Sequence, residues 1–219
     1  MPEPTIITID GPAGAGKSTL AKEIAKKFGY LHLDSGALYR TIGYACVQRG
    51  VDLSDEKKVL NVARSISVEL QNGKVLLNGE DVTRQIRTPE AGKWASQVAQ
   101  YPEVREVVVQ ILRKLARGKK VVVDGRDAGS YIFPEAQLKI YLTASSQERA
   151  KRRLEELKRK GFNLSYEEVL KEIVERDRKD ENRPFAPLKV PEGAVIIDST
   201  GKTLEEVLQE VEKLIKNDP

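Results

Sequence analysis

Short apolar runs alternate with amphipathic stretches along most of the chain. Strands are predicted at "TIITI" (residues 5–9), "YLHL" (30–33), "KVVVD" (Lys120 to Asp124), "LKIYL" (Leu138 to Leu142) and "AVIID" (Ala194 to Asp198). These runs are short, rich in β-branched residues and mostly without polar alternation, as parallel strands covered on both faces are. Helical patterns lie between and around them: Lys17 to Phe28, Ala37 to Gln48, Glu90 to Gln100, Glu103 to Arg117, Gln147 to Lys160, Tyr166 to about Glu181, and Thr203 to Lys216. Gly161 is placed to end one helix and Pro184 to stop the next. The alternation predicts an α/β fold, three layers with a parallel sheet.

The stretch "SISVELQNGKVLLNGEDVTRQIR" (65–87) breaks that rhythm. Val68, Leu70, Val75 and Leu77 alternate around Asn72-Gly73, a pair favoured in type I′ hairpin turns. A second pair, Asn78-Gly79, predicts a turn into a third short strand. A small antiparallel sheet is therefore expected as an insertion.

Composition narrows the class. The chain has 219 residues, enough for a full core, with 40% hydrophobic and 32% charged residues. No apolar run approaches the ~20 residues of a membrane span. The first ten residues, "MPEPTIITID", lack the basic and apolar regions of a secretory signal. The single cysteine, Cys46, excludes an internal disulfide and a cysteine-based zinc site. A cytoplasmic protein with no membrane partner is expected. The net charge of +4 is too small to argue for nucleic-acid binding.

The chemistry begins at "GPAGAGKS", Gly11 to Ser18, which matches G-x-x-x-x-G-K-[ST] between a predicted strand and helix. Glycines let successive N–H groups wrap one centre, and the following helix adds its positive end. Gly11, Pro12, Ala13, Gly14, Ala15, Gly16, Lys17, Ser18 and Thr19 are thus candidate nucleotide contacts. Lys17 can reach the β- and γ-phosphates, and the Ser18 hydroxyl can ligate Mg²⁺. At ordinary glycine frequency the pattern arises by chance in roughly one chain in a hundred or fewer. Asp124, at the end of "VVVD", is a candidate second metal ligand, with Asp10 and Asp34 as competitors.

A hydrolase needs little beyond a positioned water. A kinase needs a second site, and a phosphorylated acceptor needs several arginines there. "LDSGALYR" supplies Tyr39 and Arg40, "DGRDAG" supplies Arg126 and Asp127, and "YPEVREVV" supplies Arg105. "ERDRKDENR" carries Arg176, Asp180 and Arg183 at i, i+4 and i+7, on one helical face. A charged helix is more often a solvated face, so it is the clustering downstream of a phosphate loop that favours a site.

These blocks, with "ITIDGPAGAGKST", "IRTPEAGKWASQVAQYPEVRE", "VVDGRDAGSYIFPEAQLKIYL" and "ERDRKDENRPFAPL", resemble the bacterial cytidylate kinases, nucleoside monophosphate kinases, over nearly the whole chain. The resemblance implies a P-loop core with an inserted sheet and a helical lid. It implies γ-phosphoryl transfer from ATP, with Mg²⁺, to CMP or dCMP in a monomer. Its layout is core at 1–34, acceptor region at 35–100, core at 101–148, lid and flanking arginine helix at 149–183, and core at 184–219. By position, Arg40, Arg126 and Arg183 would hold the acceptor phosphate. Ser96, Arg105 and Asp127 would read cytosine; Tyr39, Arg176 and Asp180 would contact the sugar; Ser35 would line the pocket. Lys17, Arg126, Arg183 and a lid arginine, Arg153, would serve the transfer. The family's usual "GRDMGT" is "GRDAGS" here, placing Ala128 and Ser130 where methionine and threonine are usual. His32, within a short strand, is expected to be structural. The competing readings are a related kinase for UMP, AMP or shikimate, and a P-loop hydrolase or binding module.

Overall fold

The computed structural model describes residues 3–71 and 73–216. In chain order these hold β1 (Ile6–Asp10), α1 (Lys17–Phe28), β2 (Leu31–Asp34), α2 (Ser35–Gln48), α3 (Glu56–Ser65), β3 (Val68–Gln71), β4 (Lys74–Leu77) and β5 (Glu80–Asp81). There follow α4 (Pro89–Val98), α5 (Pro102–Ala116), β6 (Val121–Gly125), β7 (Leu138–Thr143), α6 (Ser146–Arg159), α7 (Tyr166–Asn182), β8 (Val195–Asp198) and α8 (Leu204–Lys216). Among the described residues no helix is long and apolar enough to cross a membrane.

The chain divides into two compact units, Met1–His32 with Lys119–Pro219, and Leu33–Gly118. The first is built on a five-stranded parallel sheet of order β2-β6-β1-β7-β8. β1 is central, parallel to β6 from Ile6↔Val121 to Asp10↔Gly125 and to β7 from Ile7↔Leu138 to Asp10↔Tyr141. Ile7, Ile9, Val122 and Ile140 are fully buried against Leu20 and Ile24 of α1 and Val207, Val211 and Ile215 of α8. That apolar contact fixes the start of α1 at the carboxyl end of β1, where ligands of open α/β sheets bind.

The same unit holds a helical hairpin. α6 and α7 share a small core of Ala150, Leu157, Val169 and Ile173. Ser145 caps α6 by accepting from Glu148 N, and Ser165 and Glu168 form a capping box on α7. Gly161, at φ +84°, lies in the turn after α6 as predicted.

In the second unit the inserted sheet has the order β3-β4-β5. The β3–β4 register pairs Val68 with Leu77 and Leu70 with Val75, the alternation read from the sequence. Gln71 pairs with Lys74, so two residues link the strands; Gly73 takes φ +76°, and Asn72 lies outside the described residues. Asn78 and Gly79 are both left-handed, at φ 51° and 86°, as a type I′ turn requires. Helix α3 has no counterpart among the predicted elements. Its buried face (Val59, Leu60, Val62, Ala63) sits in a lysine-rich run and is stabilised by the Asp55 cap on Lys58 N. Helix α5 belongs to this second unit, where Val104, Val108 and Leu112 are buried.

Helices α2 and α4 meet at Gly43, where an added Cβ would lie 2.5 Å from Trp94 Cβ. Gly→Ala inside a helix gains about 1 kcal/mol in propensity, but the clash with an atom anchored to backbone outweighs it. Gly43→Ala is expected to destabilise the protein by about 1–3 kcal/mol in urea unfolding. An unchanged or raised midpoint would contradict this packing.

Candidate active site

The phosphate loop leaves β1 at Asp10. Gly11, at φ +147°, runs so close to β7 that an added Cβ would lie 2.0 Å from the Leu142 carbonyl oxygen. Gly14 and Gly16 are also left-handed, at φ +77° and +94°. Gly16 caps α1 without a side-chain bond, and the first turn holds no acidic residue. The leading N–H groups of α1 and the helix dipole are therefore suited to an anion.

Lys17 is buried, and its Nζ donates to the Pro12 carbonyl at 2.7 Å. Burial, and then the nearby Arg126 charge, hold its pKa well below the ordinary lysine value. Ser18 Oγ donates to Asp124 Oδ2 at 2.6 Å. The other Asp124 oxygen, Oδ1, meets His32 Nε2 at 2.5 Å. Burial opposes charge on Asp124, yet His32, Ser18 and Lys17 together hold its carboxyl below the usual range.

The competing acids are engaged elsewhere. Asp34 caps α2 through Ala37 N at 2.9 Å and pairs with Arg40 Nη2 at 2.9 Å. Asp10, fully buried, accepts from Ala128 N at 2.6 Å and Gly129 N at 2.7 Å. Those amides open a π-helical turn, Ala128–Ile132, directly after Arg126 and Asp127. Asp10 thus ties the loop after β6 to the strand that feeds the phosphate loop. Nothing in the sequence pattern marked that contact, because the two segments lie more than a hundred residues apart.

Three of the predicted acceptor arginines gather around one carboxylate, that of Asp180. Arg126 Nε donates to Asp180 Oδ2 at 2.8 Å, and Arg183 Nη1 lies 4.0 Å from Asp180 Oδ1. Burial would raise Asp180, but Arg126, Arg176 and Arg183 hold it below the usual carboxylate range. Arg183 Nη2 lies 3.9 Å from Asp127 Oδ1, and Arg183 also donates from Nε and Nη2 to the Ala186 carbonyl. Within the second unit, the Arg105 guanidinium lies 5.3 Å from the Tyr39 ring centroid, and its Nη1 donates to Ala99 O at 2.9 Å. Arg105 and Ser35 are buried; Ser96, on α4, is half-buried. Arg153 stands apart, paired with Glu156 on the surface of α6 at 2.8 Å. The inward-facing lid arginine is Arg149, four residues earlier and buried.

A family model for cytidylate kinase matches residues 7–217. Among curated relatives, the cytidylate kinase of Caldanaerobacter subterraneus subsp. tengcongensis is 50% identical over 96% of this chain and 94% of its own. That of Caldicellulosiruptor bescii is 48% identical over 97% of each chain, and that of Thermotoga neapolitana 44% over 96% of each. Among solved structures, a gluconokinase from Sinorhizobium meliloti 1021 aligns with a TM-score of 0.52 at 17% identity, over 99% of this chain and 97% of that one. The likeness to the gluconokinase is one of fold.

The Asp10 clamp has a pH signature. Burial pushes Asp10 up to about 7 from 3.8, against the pull of the Gly129 amide, with Asp127 adding to the rise. The folded protein therefore keeps a proton that the unfolded chain releases above about pH 4. This contribution to stability is fully present below the unfolded pKa and is lost as pH rises through about 7. Between pH 5 and 7 it amounts to roughly 2–3 kcal/mol. Denaturant unfolding across that window is expected to show a flatter pH dependence in Asp10→Asn than in the wild type, whatever the variant's absolute stability. Parallel profiles would rule out the protonated form.

Proposed function

The chain belongs to the cytidylate kinase family, and we propose that it transfers the γ-phosphoryl group of ATP to CMP or dCMP in one in-line step, giving ADP and CDP or dCDP. As a family member it is a nucleoside monophosphate kinase. The observation that carries the finer reading is the convergence of Arg126, Arg176 and Arg183 on Asp180, in the same unit as the glycine loop. That many guanidiniums suit an acceptor that brings a phosphate of its own.

The residues Gly11, Pro12, Ala13, Gly14, Ala15, Gly16, Lys17, Ser18 and Thr19 hold the ATP polyphosphate, the backbone amides and the α1 dipole facing its oxygens. Lys17 leaves the Pro12 carbonyl for a phosphate oxygen. Ser18 and Asp124 would hold Mg²⁺. The fit is chemical: both are hard oxygen donors, they already touch at 2.6 Å, and the carboxyl is held in its charged form. Mg²⁺ takes one or two protein oxygens and completes its shell with phosphate and water, so no larger acidic cluster is needed. When bound, the ion neutralises charge on the β- and γ-oxygens. His32 holds the second Asp124 oxygen and so orients the carboxylate.

Arg126 and Arg183, with Arg40, hold the acceptor phosphate. Ser96, Arg105 and Asp127 read the cytosine edge, Tyr39, Arg176 and Asp180 contact the sugar, and Ser35 lines the pocket. A carboxylate at Asp127 complements the exocyclic amine of cytosine. Against the carbonyl of uracil it would face another acceptor, a strong basis for discrimination. The attacking atom is a phosphate oxygen, ionised at neutral pH, so no general base and no covalent enzyme intermediate are required. The bond from γ-phosphorus to the β–γ bridging oxygen breaks as the bond to the acceptor oxygen forms. The protein supplies position and positive charge. The α6–α7 hairpin acts as the lid that excludes water, with Arg153 swinging from Glu156 to the transferring group.

Two measurements test this. With ATP and Mg²⁺, an acceptor panel is expected to show CMP and dCMP phosphorylated far faster than UMP or AMP, and little ATP turnover without acceptor. A preference for UMP or AMP would sink the cytidylate reading, and acceptor-independent turnover would favour a hydrolase. Arg126→Ala is expected to lower kcat/KM for CMP by about 10²-fold or more while ATP binding by calorimetry stays essentially intact. Equal loss of both would make Arg126 a structural residue.

A further inference from the structure

The base of the α6–α7 hairpin is bonded to the phosphate loop by a buried pair that the roles above do not use. Arg149, in the first turns of α6, donates from Nε to the Ala144 carbonyl at 2.9 Å. Its Nη1 donates to the Ala13 carbonyl at 2.9 Å and to Asp177 Oδ2 at 2.6 Å. Asp177 Oδ1 accepts from Ala13 N at 3.4 Å. Ala13 is thus held at both its N–H and its C=O, one by α7 and one by α6. The next residue, Gly14, passes so near α6 that an added Cβ would lie 3.1 Å from both Cβ and O of Arg149.

Asp177 follows Arg176 directly and stands one turn before Asp180 on the same face of α7. The loop facing the donor and the helix carrying Arg176 and Asp180 therefore share one side-chain pair. An apolar pair would hold the helices together as well as Ala150, Leu157, Val169 and Ile173 do. Only a polar pair can also grip both peptide groups of Ala13. Separating two buried charges leaves each unpaired, which is strongly unfavourable. Pair and loop consequently move as one body.

We propose that Arg149 and Asp177 are positioning residues that couple the donor loop to α7, so that engagement of the acceptor on α7 sets the conformation of Ala13 and Gly14. The coupling rests on the acceptor role of α7 proposed above; the anchoring of the loop does not. By linkage, donor and acceptor then strengthen each other's binding by the same factor.

Asp177→Asn and Arg149→Lys test both parts, each keeping size and removing one half of the bonding. Hydrogen exchange on the ligand-free protein is expected to speed up at residues 11–16 in both variants, with β1 and β6 unchanged as internal references. Unchanged loop exchange in whichever variant folds overturns the anchor. Calorimetry with ADP and CMP then reads the coupling as the CMP affinity with saturating ADP over that without. In the wild type a ratio of at least about 5 is expected, falling to within about twofold of 1 in the variants. Weaker binding with an undiminished ratio, or a ratio near 1 in the wild type, overturns the coupling. Failure of the wild type to bind CMP at all, with loop exchange still accelerated in the variants, instead removes the acceptor reading and with it the coupling, leaving the anchor.

Discussion

Clustered cations repel one another, and the arrangement of this protein follows from how that repulsion is offset. Burial above all, and then the Arg126 and Arg176 charges, hold the Lys17 pKa down. The compensation comes from carboxylates placed among them. Asp180 sits among Arg126, Arg176 and Arg183, Asp177 beside Arg149, and Asp124 against His32 with Lys17 near. Each acid is largely buried, so each is answered by specific partners rather than by solvent.

The parallel sheet makes this concentration possible. β1 lies between β6 and β7, and parallel pairing brings the ends of all three to one edge. From that edge run the glycine loop, the Arg126–Asp127 loop and the segment leading into α6. Asp10 locks the first two together through the Ala128 and Gly129 amides, and Arg149 locks the first to the third. The glycines are where backbone must pass closest: Gly11 against β7 and Gly14 against α6.

Much of this was legible in the chain. The five strands, the glycine loop, the inserted sheet and every helix but α3 were predicted to within a few residues of where they lie, because periodicity and turn chemistry are local. Helix α3 was missed, although Val59, Leu60, Val62 and Ala63 fall at the i, i+1, i+3 and i+4 spacing of an amphipathic helix behind an Asp55 N-cap. A helix pattern does not say against what it is buried, so the grouping of α5 with the second unit comes from the structure. Among the lid arginines the sequence offers Arg149, Arg152 and Arg153 with little to separate them. The structure separates them: Arg149 is buried against Ala13 and Asp177, Arg152 bonds to Ser199, and Arg153 pairs on the surface with Glu156.

The sequence by itself determined the fold class, the phosphate loop and the face of α7 that carries Arg176 and Asp180, because each is written in spacing along a single element; Arg183, expected on that face, follows the end of α7 in extended backbone. Only the tertiary structure decided which group each acid answers. Asp124 meets Ser18, Asp10 meets the loop after β6, and Asp177 meets Arg149. In sequence these acids look alike, one at the end of each of two strands and one in a charged helix. Their roles differ because burial amplifies electrostatics over a few ångströms, and those distances are set by contacts between segments far apart in the chain.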